Sequence, residues 1–490
     1  MAKPVGMMLT KHPLLKNGRK RTLESAAKAK DNQSNLKLKD GARVAVIGGG
    51  PAGSFFSYFL LDMANRIGLD IHIDIYEPRD FSCPAPKGCN MCGGIVSESL
   101  VQYLAAEGIN LPPTVIQRGI ESYTMHMDVG SANIETPRHE KRIGAVHRGA
   151  GPRTIQKTKW ESFDGHLQSL AAGKGAQLIP ERVREITRMV DGRLQVRIKG
   201  NSPIVYDLVA AAIGVNSAAF RLFEDLDLNY RSPQTTKTAI REYYLGSDTI
   251  QGYLGNSMHV FLLEIPRLEF AAIIPKGDYV TVCLLGEDID AELVRDFLNA
   301  PEVKGCFPPD WNLDQAACHC GPRINVHGAA EPFGDRIVFL GDCGVTRLYK
   351  DGIGAAYRLA KTAAVTAVFE GISAADFRRH YWPACRHIEV DNDIGRLIFF
   401  IVRLIQKQRF ARRAVLHMVT DEQRRESGQR RMSTVLWDTF TGSAPYREVF
   451  ISTLHPAFLT RFLWDSAVAL WDSWFEFGRR WMVAARQQMR

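Results

Sequence analysis

The 490-residue sequence predicts an α/β protein, with an α/β domain split by a β-rich middle and followed by a helical C-terminal region. Three observations lead there. A β-type run, Arg43 to Ile47, opens into a glycine-rich turn and then an apolar-periodic helix pattern. Almost three hundred residues later a second strand, loop and helix pattern appears in DRIVFLGDCGVTRLYKDGIGAAYRLAKTAAVTAVFE. Between the two lie short β-rich segments punctuated by Gly, Asn and Asp, and beyond the second the pattern turns helical.

Residues 1–40 hold ten Lys/Arg against three Asp/Glu and few apolar anchors. They read as a basic, disordered tail with a short helix around TLESAAKAK, serving either solubility or contact with an anionic surface. Residues 401–490 hold fifteen Lys/Arg against eight Asp/Glu, so each end carries +7 of a total of +9 and the central 360 residues carry −5. Nine unevenly spaced cysteines do not make a secreted disulfide scaffold, and the N-terminal stretch lacks an apolar run leading to a cleavage site. A reducing, cytoplasmic location is the expectation. No nucleic-acid-binding fold or stacking platform stands beside the basic ends, so no specific nucleic acid is expected.

Residues 41–219 form the first part of the α/β domain. The strand runs into Gly48, Gly50 and Gly53, a helix pattern starting at Pro51 extends through Met63, and a second β-type run ends at Glu77. Glycines permit the tight turn and close approach of a pyrophosphate, the helix N-terminus offers amide donors, and Glu77 can accept from a ribose hydroxyl. This is dinucleotide-binding logic. Residues 331–374 return to the same domain with a strand into Gly341 and Asp342, then Gly352, Gly354 and a long helix. Such a return suits a large cofactor held between the two ends of the domain.

GGGPAG with Glu77, the Gly341-Asp342 pair and DGIG together resemble the FAD-binding pattern of the flavoprotein superfamily that contains the aromatic hydroxylases and the geranylgeranyl reductases. The resemblance runs from about residue 42 to 370. It implies a Rossmann-like FAD-binding domain, with Asp342 holding a ribityl or ribose hydroxyl and Gly352 and Gly354 admitting backbone to the cofactor. Phe163, Asp164, Leu167, Gly175 and Ala176 fall at the places of a helix typical of the family. Where relatives carry an acidic residue before a glycine, this chain has Ile213 and Gly214. CNMCGGIVSES resembles the C-G-G segment of geranylgeranyl-reductase-like enzymes, which implies that Cys92, Gly93 and Gly94 lie near the flavin in a substrate cavity. LEFAAIIPKGDYVTVCLLG resembles their F-P-K-G-D strand, keeping Pro275, Lys276, Gly277 and Asp278 but reducing its aromatic interior to Phe270, Ala272 and Ile274.

The cysteines therefore have three readings. Cys92 lines the flavin cavity as a weak donor in an apolar cleft. Alternatively, Cys83, Cys89 and Cys92 bind a metal or iron–sulfur cluster, completed by Cys306, Cys318 and Cys320 if their loop folds back. Third, Cys89 and Cys92 form a reversible disulfide. Cys283 and Cys385 read as small buried hydrophobes and Cys343 as packing beside the flavin.

Residues 220–330 should form a β-rich substrate domain, in which TKTAIREYYLG, SMHVFLLEI, LEFAAIIPKG and YVTVCLLG supply strands. Residues 375–490 form a helical region that carries five of the eight tryptophans after residue 436 but no uninterrupted apolar span of transmembrane length. Its aromatic and basic faces suit either docking on the cofactor domain or a peripheral position at the inner face of a membrane.

The family resemblance implies that NAD(P)H or a reduced electron-carrier protein reduces FAD, which then passes hydride from N5 to a carbon–carbon double bond of a hydrophobic, isoprenoid-like or lipid substrate. Cys92 is the leading candidate for contact with the reaction zone, followed by Tyr243 and Tyr244. An aromatic hydroxylase, or an electron-transfer or quinone-linked oxidoreductase with a cysteine-bound cluster, is the alternative.

Overall fold

The computed structural model describes residues 34, 36–85, 87–89, 92–136, 143–153, 160–425 and 429–471. The helix expected around TLESAAKAK and the last nineteen residues of the tryptophan-rich region lie outside these. Where description begins, Leu38 is buried and the amide of Ile372 donates to Leu36 O at 2.8 Å. The end of the basic tail is thus already anchored in a core, because its leucines sit beside the returning segment.

A six-stranded sheet takes the order Phe333–Gly334, Ile337–Phe339, Leu208–Ala211, Ala42–Ile47, Ile71–Tyr76, Gln177–Ile179. It is parallel apart from the edge pair Phe333–Gly334 and Ile337–Phe339. Its central strands are buried on both faces, which is why they read as continuous apolar runs. Helices Pro51–Arg66, Phe163–Gly173 and Gly352–Val365 share a core with one face. The three-stranded sheet Val183–Arg188, Leu194–Ile198, Ile204–Tyr206 covers the other.

The second large sheet has seven strands, in the order Cys318–Cys320, Ala239–Tyr244, Tyr279–Gly286, Leu268–Lys276, Ser257–Phe261, Ser122–Met127, Gly130–Glu135. All four predicted segments of the middle region supply strands. The hairpin of residues 122–135 joins them from earlier in the chain by pairing in parallel with Ser257–Phe261, which would otherwise leave an apolar edge open. Every residue of Leu268–Lys276 is buried, since helix Ala291–Asn299 packs on one face and the C-terminal helices on the other.

Those C-terminal helices include Trp382–Lys407, Arg409–Arg424, Arg431–Thr441 and Tyr446–Thr453. Phe399, Val415, Trp437 and Tyr446 dock them onto the sheet. Their outer surface, with the helical residues 456–471, exposes Phe400, Leu404, Leu463, Trp464 and Trp471. No helix among the described residues is long and apolar enough to cross a membrane.

Candidate active site

The glycine turn is built at the carboxyl end of Ala42–Ile47. Gly48 donates its amide to Tyr76 O at 2.9 Å and takes φ +108°, a conformation open to glycine; a Cβ there would stand 2.4 Å from Ala212 O. Gly53, one turn into the helix, packs so closely that its Cβ would meet Gly48 O at 2.0 Å. The helix begins with Pro51 after Gly50, and no side chain caps it, so its first amides face the cavity that Gly50, Pro51 and Ala52 line.

That cavity measures about 710 Å³ and runs between the two large sheets. At one end stands Glu77, whose carboxylate accepts from the amides of Gly49 and Arg79, both at 3.0 Å, and has its pKa raised by burial. Two accepted bonds leave lone pairs for ribose hydroxyls. In the middle, Gly341 and Asp342 form part of the wall, Gly341 packing against Ala52, followed by Gly352 at the start of its helix. Gly354 lies one position beyond Ile353, packed against Asp351. Burial raises the Asp342 pKa against the opposing pull of Arg148. Thr346, also on the cavity wall, faces Asp342, and its hydroxyl favours the charged carboxylate. The steric cradle at Gly48 and Gly53 and the free lone pairs of Glu77 fit a dinucleotide such as FAD.

At the other end the wall turns apolar. Phe270, Ala272 and Ile274, alternate residues of one strand, line it together, as a strand's period of two requires. Cys92, Gly93, Gly94 and Ile95 line it beside that strand, a Cβ on Gly93 standing 3.5 Å from Ile274 Cδ1, and Cys92 Sγ accepts from Gly94 N at 3.4 Å. Cys283 joins this wall, while Cys343 packs away from it in the core under the six-stranded sheet, with Sγ donating to Ala211 O and Leu340 O.

Other expectations separate here. Tyr243 is fully buried on the opposite face of its strand, donating to Leu313 O at 2.6 Å, and Tyr244 is 55% exposed at the strand's end. Neither lines the cavity. Of the six cysteines in the metal reading, two stand apart: Cys83 donates to Asp80 at 3.2 Å, and Cys306 lies beside His126 and His259. Cys320, on an edge strand with Cys318, does fold back towards Cys89 and Cys92, close enough for their charges to act on it, but among the described residues these thiols do not form a group with ligand atoms within 4.8 Å of one another. Cys89 and Cys92 are not bonded to each other.

Two basic residues that sequence reasoning missed also line the cavity. Arg148 makes a bidentate pair with the fully buried Asp164, 2.9 Å on each arm. Burial alone would lower its pKa, but Asp164, with Cys92 and Asp342 nearby, raises it, fixing a positive charge at the centre of the site. Lys350 is held between Tyr349 and Asp351, both left-handed at φ 57° and 49°. Its Nζ donates to Asp438 O at 2.6 Å and lies 3.9 Å from the Tyr446 ring centroid. Burial, aided by repulsion from Arg347, pushes it down from 10.5 to about 7.

This shift has a measurable consequence. Between pH 7 and 10.5 the unfolded chain holds a proton that folded Lys350 has released, so stability contributed at this position rises with pH across that window and is flat below it. Lys350→Met is expected to remove that rise, as read by urea unfolding at several pH values with flavin content matched; an identical pH profile would show that Lys350 is not the titrating group.

No protein-family model matches the chain, and no curated protein matches it. Solved structures do. A geranylgeranyl bacteriochlorophyll reductase-like protein from Thermoplasma acidophilum aligns at TM-score 0.57 and 16% identity, over 85% of this chain and 96% of its own. The p-nitrophenol 4-monooxygenase PnpA from Pseudomonas putida DLL-E4 aligns at 0.53 and 13%, over 84% and 100%. A variant of the halogenase PltM in complex with FAD aligns at 0.53 and 13%, over 92% and 93%. The chain has the Rossmann-like fold of the FAD-dependent oxidoreductases and monooxygenases. The spread of neighbours does not single out the geranylgeranyl reductase branch.

Proposed function

We propose that the chain is a FAD-dependent oxidoreductase acting on a hydrophobic small molecule held beneath the seven-stranded sheet. The observation that carries this is a single cavity joining the glycine turn, Glu77 and Asp342 to the apolar wall of Phe270, Ala272 and Ile274. When bound, FAD supplies two-electron redox chemistry at the junction of the two halves. Glu77 would hold ribose hydroxyls, the amides after Pro51 would meet the pyrophosphate, and Asp342 would accept from a ribityl or ribose hydroxyl. Arg148 keeps a fixed charge beside Asp342, while Lys350, titrating at about 7, is suited to hold or release a proton at Nζ. The sheet and the C-terminal helices exclude water from the apolar end. The reductant is NAD(P)H or a reduced carrier protein.

Two reactions fit this arrangement. Oxygen-dependent attack on an aromatic ring is supported by the monooxygenase and halogenase among the fold neighbours. Reduction of a carbon–carbon double bond is supported by Cys92 on the apolar wall and by the reductase-like neighbour. Extraction should release FAD, identified by mass and absorbance. Anaerobic reoxidation of the dithionite-reduced protein by an isoprenoid alkene, with saturation of the bond, selects the reductase; reoxidation that needs oxygen and inserts an oxygen atom into a phenol selects the hydroxylase. Folded protein that neither carries FAD nor binds it on reconstitution overturns both.

On the reductase reading, Cys92→Ala should keep FAD and slow acceptor reduction by about 10²-fold or more if the thiol moves the proton. Reduction by the electron donor should change far less. Stopped-flow traces of both half-reactions decide it, and unchanged acceptor reduction leaves Cys92 a packing residue.

A further inference from the structure

On the face of the seven-stranded sheet turned away from the cavity, three side chains meet that the flavin site does not use. His126, on Ser122–Met127, places Nε2 2.8 Å from Nδ1 of His259, on Ser257–Phe261. Cys306, which follows the short helix Pro301–Lys304, brings Sγ to 3.5 Å from His259 Nδ1 and 3.8 Å from His126 Nε2. Among the described residues this is the one group of three or more His, Cys, Asp or Glu whose ligand atoms all lie within 4.8 Å of one another. None of the three lines the cavity.

The outer contacts of the rings decide what their inner nitrogens offer. His259 Nε2 lies 3.2 Å from Leu254 O, a carbonyl that can only accept, so Nε2 carries the hydrogen and Nδ1 presents a lone pair inward. His126 Nδ1 lies 2.8 Å from Ser131 Oγ, and a hydroxyl accepts as readily as it donates. Without a metal, His126 Nε2–H donates to His259 Nδ1 and the Ser131 hydroxyl donates to His126 Nδ1. With Ser131 accepting instead, two lone pairs and a thiolate converge on one point. A carbonyl or hydroxyl on the far nitrogen is the outer partner that a metal-bound imidazole takes. Cys306 has one further contact, to Glu302 O at 3.5 Å.

We propose that His126 Nε2, His259 Nδ1 and Cys306 Sγ form a zinc site, with water as the fourth ligand. Tetrahedral zinc, at about 2.0–2.1 Å from nitrogen and about 2.3 Å from sulfur, sets N···S near 3.6 Å and N···N near 3.3 Å. The two observed N···S distances bracket the first value, and the rings need to part by about 0.5 Å to reach the second. Two imidazoles and a thiolate match zinc in softness and number, and hard oxygen-seeking cations poorly. His126 is only half buried, its outer side meeting the exposed Ser131. The ligands come from the parallel junction of Ser122–Met127 with Ser257–Phe261 and from the segment after residue 301, so the ion would staple the early hairpin and the helical cover to the sheet.

The test uses the full flavin-containing chain, free of any histidine tag, loaded with zinc, desalted and analysed for metal. Stoichiometric retained zinc is expected, with X-ray absorption giving one sulfur and two nitrogens from the protein. Cys306→Ser and His259→Gln should lower retained zinc at least tenfold, Ser131→Ala should weaken affinity by about 10–100-fold, and Cys92→Ala should leave it unchanged. Retention equal to wild type in folded Cys306→Ser, loss in Cys92→Ala alone, or no zinc in the wild type overturns the proposal. Should the buried variants fail to fold, the half-buried His126→Gln and the alkylation of Cys306 in the wild type decide it: zinc is expected to protect that thiol, and equal alkylation with and without zinc overturns the site.

Discussion

Gly53→Val is expected to abolish flavin retention. The added Cβ would lie 2.0 Å from Gly48 O and 3.0 Å from Val46 Cγ1, and the first of these is backbone that no rotamer can clear. The helix Pro51–Arg66 would have to withdraw from the sheet, yet Phe55, Phe56 and Phe59 bury its far side in the first core. Overpacking of this kind costs about 1–3 kcal/mol or more. The displaced helix N-terminus also loses its aim at the pyrophosphate, so an affinity loss of at least about 10²-fold follows, at about 1.4 kcal/mol per decade. Gly173→Ala is the control, since a Cβ there meets nothing within 4 Å. Flavin absorbance per chain after desalting, followed by titration with FAD, reads the result; tight FAD binding by folded Gly53→Val would place the cofactor elsewhere.

Arg148→Met is expected to destabilise the fold by about 3–5 kcal/mol, because it removes the guanidinium facing a carboxylate with no solvent exposure. Asp164 sits in the first turn of Phe163–Gly173, where the helix N-terminus offers only partial compensation. The double variant Arg148→Met/Asp164→Leu should recover much of the loss, since an apolar pair of similar volume carries no buried charge. Denaturant unfolding of the single and double variants at matched flavin content measures both effects. A single variant within 1 kcal/mol of wild type would overturn the assignment of this pair as a stabilising buried charge pair.

The glycine turn and Glu77 were legible in the sequence because their geometry is imposed locally: a positive φ and a close approach leave no choice of residue at Gly48 and Gly53. The apolar wall was legible as a strand, with Phe270, Ala272 and Ile274 sharing one face. Which face of a strand meets the cavity is set by its neighbours, and this is why Tyr243 falls on the wrong side while Ile240, three residues earlier, lines the site. Tyr244 shares Ile240's parity but lies beyond the cavity's reach. The pairing of Cys306 with two histidines joins positions 126, 259 and 306, a separation that no local spacing encodes. Arg148 showed no motif of its own; its signal was the buried partner Asp164, already singled out in the FD pair. Lys350 immediately precedes DGIG, and only burial reveals that its proton is loosely held.

The order of the six-stranded sheet also bears on how the chain is made. Ala42–Ile47 pairs with Leu208–Ala211, which in turn waits for Ile337–Phe339. During synthesis the first strands leave the ribosome with an apolar edge that cannot be covered until the whole middle sheet has followed. At about 5–20 residues per second, that interval lasts on the order of ten seconds. The intervening strands can complete their own pairing in that time, so vectorial synthesis favours closing the insertion before the domain that encloses it, and the nascent edge is where a chaperone would bind.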